Sequence, residues 1–155
     1  MNARLSLLLL VPVFLLSCQK SNEDNTPTVD TKTTQITAAP WKYDNAGVDG
    51  DRNGTIDFPL PVALPACLRD NTLTLAPNGS GSVDEGGSKC DPAAPQTTPA
   101  TWSFANNQTV LNLGGSGIGV SGQLKIIELS TTNLTLSKDT TVSGFPVAVI
   151  VQLKH

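Results

Sequence analysis

Apolar and polar positions fall into three zones along the chain. Ten consecutive apolar residues, Leu7–Leu16, are followed by a polar, Thr-rich stretch from Gln19 to Gln35. Beyond residue 36 the apolar positions recur mainly at every second residue, the period of a strand with one buried face. The clearest case is Val147–Lys154. Val147, Val149, Val151 and Leu153 share one face, while Ala148, Ile150, Gln152 and Lys154 share the other. Such a strand is buried on one side and partly covered on the other.

The same reading predicts strands at Trp41–Ala46, Asn71–Ala76, Ser82–Glu85, Thr101–Ala105, Thr109–Leu113, Gln123–Ser130 and Asn133–Ser137. Leu73 and Leu75 oppose Thr72 and Thr74, and Trp102 and Phe104 share a face. Pro77-Asn78-Gly79-Ser80-Gly81 and Asn106-Asn107 are turn sequences, and Gly114–Gly119 is a glycine-rich loop. Ile36–Ala39 predicts one short helical turn, stopped by Pro40. No later segment has helical periodicity. About eight short strands separated by turns predict an all-β barrel or sandwich.

The opening zone changes the picture of location. Arg4, the apolar run and small Ser17 have the layout of a secretory signal peptide over residues 1–17. The run is too short to span a bilayer as a helix, which takes about 20 residues. Leu15-Leu16-Ser17-Cys18 resembles the lipobox of bacterial lipoproteins. That resemblance implies that Cys18 is acylated and becomes the mature N-terminus, with residues 18–35 as a flexible tether and 36–155 as the folded domain. The chain is then exported and held to a membrane by lipid, in the outer membrane at its periplasmic face or on the cell surface. Lys20 followed by Glu23 and Asp24 is similar to a surface-export signal of some diderm bacteria; a plain soluble spacer is the alternative.

A net charge of −3 and 15% charged residues leave no basic patch for nucleic acid. With Cys18 assigned to lipid, Cys67 and Cys90 remain as an even pair in an oxidising compartment, and a disulfide follows. The single histidine, His155, and the lack of a CxxC spacing argue against a metal or a catalytic thiol there.

The order of landmarks resembles the lipocalin-like domains of small bacterial lipoproteins. Ala39-Pro40-Trp41-Lys42-Tyr43 comes first, then an Asp-rich loop from Val48 to Asp57, then Cys67 before Asp70-Asn71-Thr72-Leu73-Thr74. An Asn-Gly hairpin leads to Ser88-Lys89-Cys90, and Thr101-Trp102-Ser103-Phe104 follows. Ala39-Pro40-Trp41 stands where lipocalins carry Gly-x-Trp. The resemblance implies an up-and-down antiparallel β-barrel with one mouth, in some members holding a small apolar ligand.

Three constellations carry candidate chemistry. Asp49, Asp51, Asn53, Thr55 and Asp57, with Gly54 at the sixth position, follow the spacing of a calcium loop, but Leu60 stands where the bidentate Glu belongs. The alternatives are weakly bound Ca2+ and an Asx-rich turn capping its own backbone. Trp41, Tyr43, Trp102 and Phe104 either line a ligand cavity or close one end of the barrel. Asp70, Asp84 and Glu85 read as solvated acids, Asp84 and Glu85 pointing to opposite strand faces. Without an internal histidine or a Gly-x-Ser-x-Gly elbow, no enzymatic activity is expected. Two functions follow: a binding module for a small hydrophobic or amphipathic ligand, and a non-catalytic structural or interaction lipoprotein with a filled barrel and an envelope protein partner.

Overall fold

Alternating apolar positions become nine antiparallel strands in a computed structural model that describes residues 30–60, 65–115 and 117–155. The expected signal peptide, Cys18 and most of the expected tether lie outside these residues. A short helix α1 (Thr31–Ile36) precedes β1 (Trp41–Asp49), β2 (Phe58–Pro59), β3 (Thr72–Leu75), β4 (Ser80–Asp84) and β5 (Thr97–Ala105). Then come β6 (Val110–Gly114), β7 (Gly122–Leu129), β8 (Asn133–Val142) and β9 (Phe145–Lys154). From β3 to β9 each strand pairs with the next, and β1 pairs with both β3 and β9. This is a closed eight-stranded barrel, with β2 as one extra strand on the edge of β1.

Closure leaves no free edge along the paired stretches. It also defines two ends. At the helix end lie α1, the starts of β1 and β8, and the ends of β5, β7 and β9. At the loop end lie the Asp-rich loop, the disulfide, the glycine-rich segment and the β8–β9 turn. Inward-facing Leu73, Leu75, Val83, Trp102, Leu111, Leu124, Leu134, Leu136, Val151 and Leu153 are buried between these ends as one core.

The sequence expectations need three corrections. The helical turn covers Thr31–Ile36 rather than Ile36–Ala39, so the folded part begins inside the stretch assigned to the tether. Three threonines and an isoleucine in six residues give α1 little intrinsic helicity; tertiary contacts hold it. Asp30 caps it through the Thr33 N–H, Lys32 Nζ donates to the Gln108 carbonyl, and Ile36 is buried in the core. β2 was not anticipated. Finally, β8 and β9 run on as a ribbon to Val142↔Phe145, turned by Ser143 (φ 51°) and Gly144 (φ 85°). Two positive φ values are what a tight two-residue hairpin turn needs.

The second face of β9 is covered too. Asp49 pairs with Ala148, and Gly47 with Ile150, so these four residues point outward together. The loop after β1 folds back over them. A methyl built on Gly47 would run into Ile56 Cγ2, and Gly54 approaches the Ile127 side chain, a built Cβ lying 3.5 Å from Ile127 Cδ1. A small outer layer thus buries Ala148, Ile150 and Asp49.

Candidate functional site

The four aromatic residues considered for ligand binding gather toward the helix end. Trp41 is fully buried and donates its Nε1–H to the Ile36 carbonyl at 2.8 Å, tying the first strand to the helix over it. The His155 ring lies against Trp41, with centroids 3.7 Å apart. Trp102 donates Nε1–H to the Ala76 carbonyl at 2.9 Å and meets Phe104 edge-on, with centroids 5.3 Å apart. Tyr43 packs half-buried against the same core. The indole donors are satisfied and the rings fill space, which is how aromatic groups close a small barrel. They close an end; they do not surround an opening.

The loop end is built differently. Gly115, Gly117 and Gly119 all have positive φ, which lets the chain between β6 and β7 double back tightly across the rim. A Cβ on Gly117 would sit 2.8 Å from Val83 Cγ1, so the backbone passes directly over the barrel interior. From this segment Ile118 enters the core and is 6% exposed. It lies among Leu73, Val83, Ala100, Leu113 and Val120, and the space they leave is too small for a water molecule. On the outer side, Gly117–Ser121 borders a groove of about 440 Å³, shared with Leu68, Glu85, Cys90 and Ala94. The Gly117–Ser121 chain is therefore the partition between an open groove and the core.

One polar side chain bonds to this partition, and a second lies on β5 opposite Val83. Asn71, 1% exposed, donates Nδ2–H to the Gly117 carbonyl at 2.7 Å, while its Oδ1 has no partner. Thr98 faces Val83 across the β4–β5 register, hence inward, and its buried Oγ1 also has no partner. Neither residue, nor Ile118, was singled out in the sequence. The available signal was an isolated β-branched residue in the run Gly114-Gly115-Ser116-Gly117-Ile118-Gly119, where a flexible linker would carry none.

Of the five expected metal ligands, three converge. One carboxylate oxygen each from Asp49, Asp51 and Asp57 lies within 4.8 Å of the others. Asn53 and Thr55 add no oxygen to them: Asn53 Nδ2 donates to Asp51 at 2.9 Å, and its Oδ1 accepts from both the N–H and the hydroxyl of Thr55. Asp49 takes the N–H groups of Asn53 (3.1 Å) and Gly54 (2.7 Å), and Asp57 takes that of Gly50 (2.7 Å). Burial by itself raises the Asp49 carboxyl. The bonds from Gly54, Arg52, Asn53 and Asp51 together outweigh it and hold Asp49 below the ordinary carboxylate range. Calcium takes six to eight oxygens, and three carboxylates already engaged in capping the loop are an incomplete set. The loop is built to fold on itself over the barrel wall, and Arg52 fastens it there through Asp139 at 2.8 Å.

Cys67 and Cys90 form the expected disulfide, with Cα atoms 5.1 Å apart. It joins the 3-10 turn Ala66–Leu68, before β3, to the loop between β4 and β5, and so fixes one bank of the groove. No family model matches the sequence, and no curated protein is significantly similar to it.

Proposed function

We propose that this protein is a lipid-anchored envelope lipoprotein whose lipocalin-like barrel is a non-catalytic binding module for a small amphipathic ligand, admitted at the loop end. The observation that carries the ligand reading is the asymmetry of the two ends. One is sealed by a helix and interlocked aromatic side chains; the other is stoppered by Ile118 on a glycine-rich segment beside an open groove. Ligand sites favour concave places where a few polar groups converge on apolar lining. The anchor rests on the lipobox resemblance at Cys18. Intact mass spectrometry of the full chain extracted from membranes tests both parts. The mass is expected to exceed the polypeptide from Cys18 onward by acyl chains, and under native conditions by a bound small molecule. Loss of acylation in Cys18→Ser with release from the membrane fraction completes the test of the anchor. A protein carrying no acyl mass, or arriving without ligand and binding none, would remove the corresponding part.

A second reading, an interaction lipoprotein with a permanently filled barrel, is favoured by a different observation. The β8–β9 ribbon extends beyond its neighbours and exposes Val142 (53%) and Phe145 (72%), with Phe58 exposed on β2. Exposed apolar groups paired side by side, as Val142 and Phe145 are, mark interaction surfaces. A ligand-free protein that resists every added amphiphile would favour this second reading.

A further inference from the structure

The loop end specifies more than an opening, and we propose that the Ile118 side chain occupies the seat of the ligand, which is a short branched aliphatic group bearing a neutral hydrogen-bond donor, an alcohol or an amide. This rests on the ligand-binding reading above and names the chemistry of that site.

Three observations on the partition carry it. First, Ile118 fills an apolar space between Leu73, Val83, Ala100 and Leu113 that is closed to water in its presence. Second, Asn71 Oδ1 and Thr98 Oγ1 are cut off from solvent without a partner. Buried polar atoms in folded proteins are nearly always paired, and each exception calls for a cause. The apolar gap against Ile118 is itself smaller than a water molecule, so that space holds none. Third, the amide of Asn71 is already oriented: one N–H of its Nδ2 is held by the Gly117 carbonyl, and Oδ1 can only accept. A ligand whose aliphatic part replaces Ile118 brings its head group to the same rim, where an O–H or N–H pairs with Asn71 Oδ1. Thr98 Oγ1 can donate to or accept from the same group. A carboxylate is disfavoured because Asn71 offers it an acceptor and Glu85 borders the groove.

The test is a methyl NMR titration of the full chain in detergent, with free probe concentrations measured. Isoamyl alcohol and isovaleramide are compared with isopentane, which has the same branched chain without a donor. In Ile118→Ala, both polar probes are expected to shift the Leu73, Val83 and Leu113 methyls at about tenfold lower free concentration than isopentane, the size of one well-made hydrogen bond. In the wild type, all probes are expected to need more than about tenfold higher concentration, since Ile118 must leave first. Adding Asn71→Ala to Ile118→Ala is expected to erase the preference for a donor. Ile118→Val, which removes one methylene, is used in the same way if the alanine variant does not fold. Equal binding of alcohol and hydrocarbon with Asn71 intact overturns the proposal, as does failure of all probes to reach these methyls. If a co-purified ligand binds without moving them, the seat is wrong and the ligand-binding reading survives; if nothing binds anywhere, both fall.

Discussion

Replacing Gly47 by alanine tests the way the acidic loop is laid over the barrel. Gly47 faces outward from β1, and a built Cβ would run into Ile56 Cγ2 and lie 2.9 Å from the Phe58 carbonyl oxygen. The Ile56 Cγ2 methyl can move only by rotation about a stiff χ1, and the Phe58 carbonyl belongs to the backbone of β2 and moves only with the strand. Overpacking of this kind costs about 1–3 kcal/mol. Ile56→Ala alone is expected to cost about 1–2 kcal/mol, below the 2–5 of a fully buried site because Ile56 is half-buried. In the double variant the side-chain collision is gone and only the carbonyl contact remains. The two changes are therefore expected to fall short of additivity by about 1 kcal/mol. Urea unfolding of the full chain, followed by the emission of buried Trp41 and Trp102, reads all three values. A neutral Gly47→Ala, or additivity within about 0.5 kcal/mol, would refute the packing of Ile56 on Gly47.

Three further outcomes follow from the same geometry. Replacing Cys67 and Cys90 together by serine is expected to cost about 3 kcal/mol, from the loop closed by a sequence separation of 23. That corresponds to a fall of about 10 °C in melting temperature for a domain of this size; an unchanged value would contradict it. The Asp49 carboxyl is held below its ordinary range, so it contributes stability above about pH 4 that is lost as pH falls through its folded value. The difference in urea midpoint between wild type and Asp49→Asn is therefore expected to be larger at neutral pH and to shrink in acid; a difference that grows on acidification reverses the sign and the reasoning. Millimolar calcium is expected to leave the melting temperature unchanged, because Asn53 gives the carboxylates only N–H donors while its Oδ1 is taken by Thr55, so neither side chain offers an oxygen to an ion there. A rise of several degrees would give the loop back to the ion.

Much of the barrel was legible because its strands obey a local rule. In β9 the two-residue period forecast one buried side and one partly covered side, and the loop carrying Ile56 supplies the cover, burying Ala148 and Ile150 more fully than expected. Asn106 and Asn107, both with positive φ, turn the chain where turn chemistry placed them. The misses are places where distant contacts outweigh local preference. α1 forms from Thr-Lys-Thr-Thr-Gln-Ile because Gln108 and the barrel end hold it, which no window of six residues reveals. β9 begins two residues before the expected Val147, and its Pro146 sits opposite Thr141 in the protruding ribbon, where β1 no longer pairs alongside. The candidate site divides in the same way. The disulfide followed from counting cysteines and the acidic cluster from spacing. The Ile118 seat depends on four strands and a loop meeting at one rim, and composition alone gave only a lone isoleucine among glycines.

The most direct measurement is the set of methyl-to-methyl NOEs from Ile118 in the full chain. The account predicts contacts from Ile118 to Leu73, Val83 and Leu113 in the ligand-free protein, and their loss when isoamyl alcohol saturates the site. An Ile118 side chain that makes none of these contacts in the free protein, or keeps them all in the saturated one, would contradict the claim that it stoppers the barrel and yields its place to a ligand.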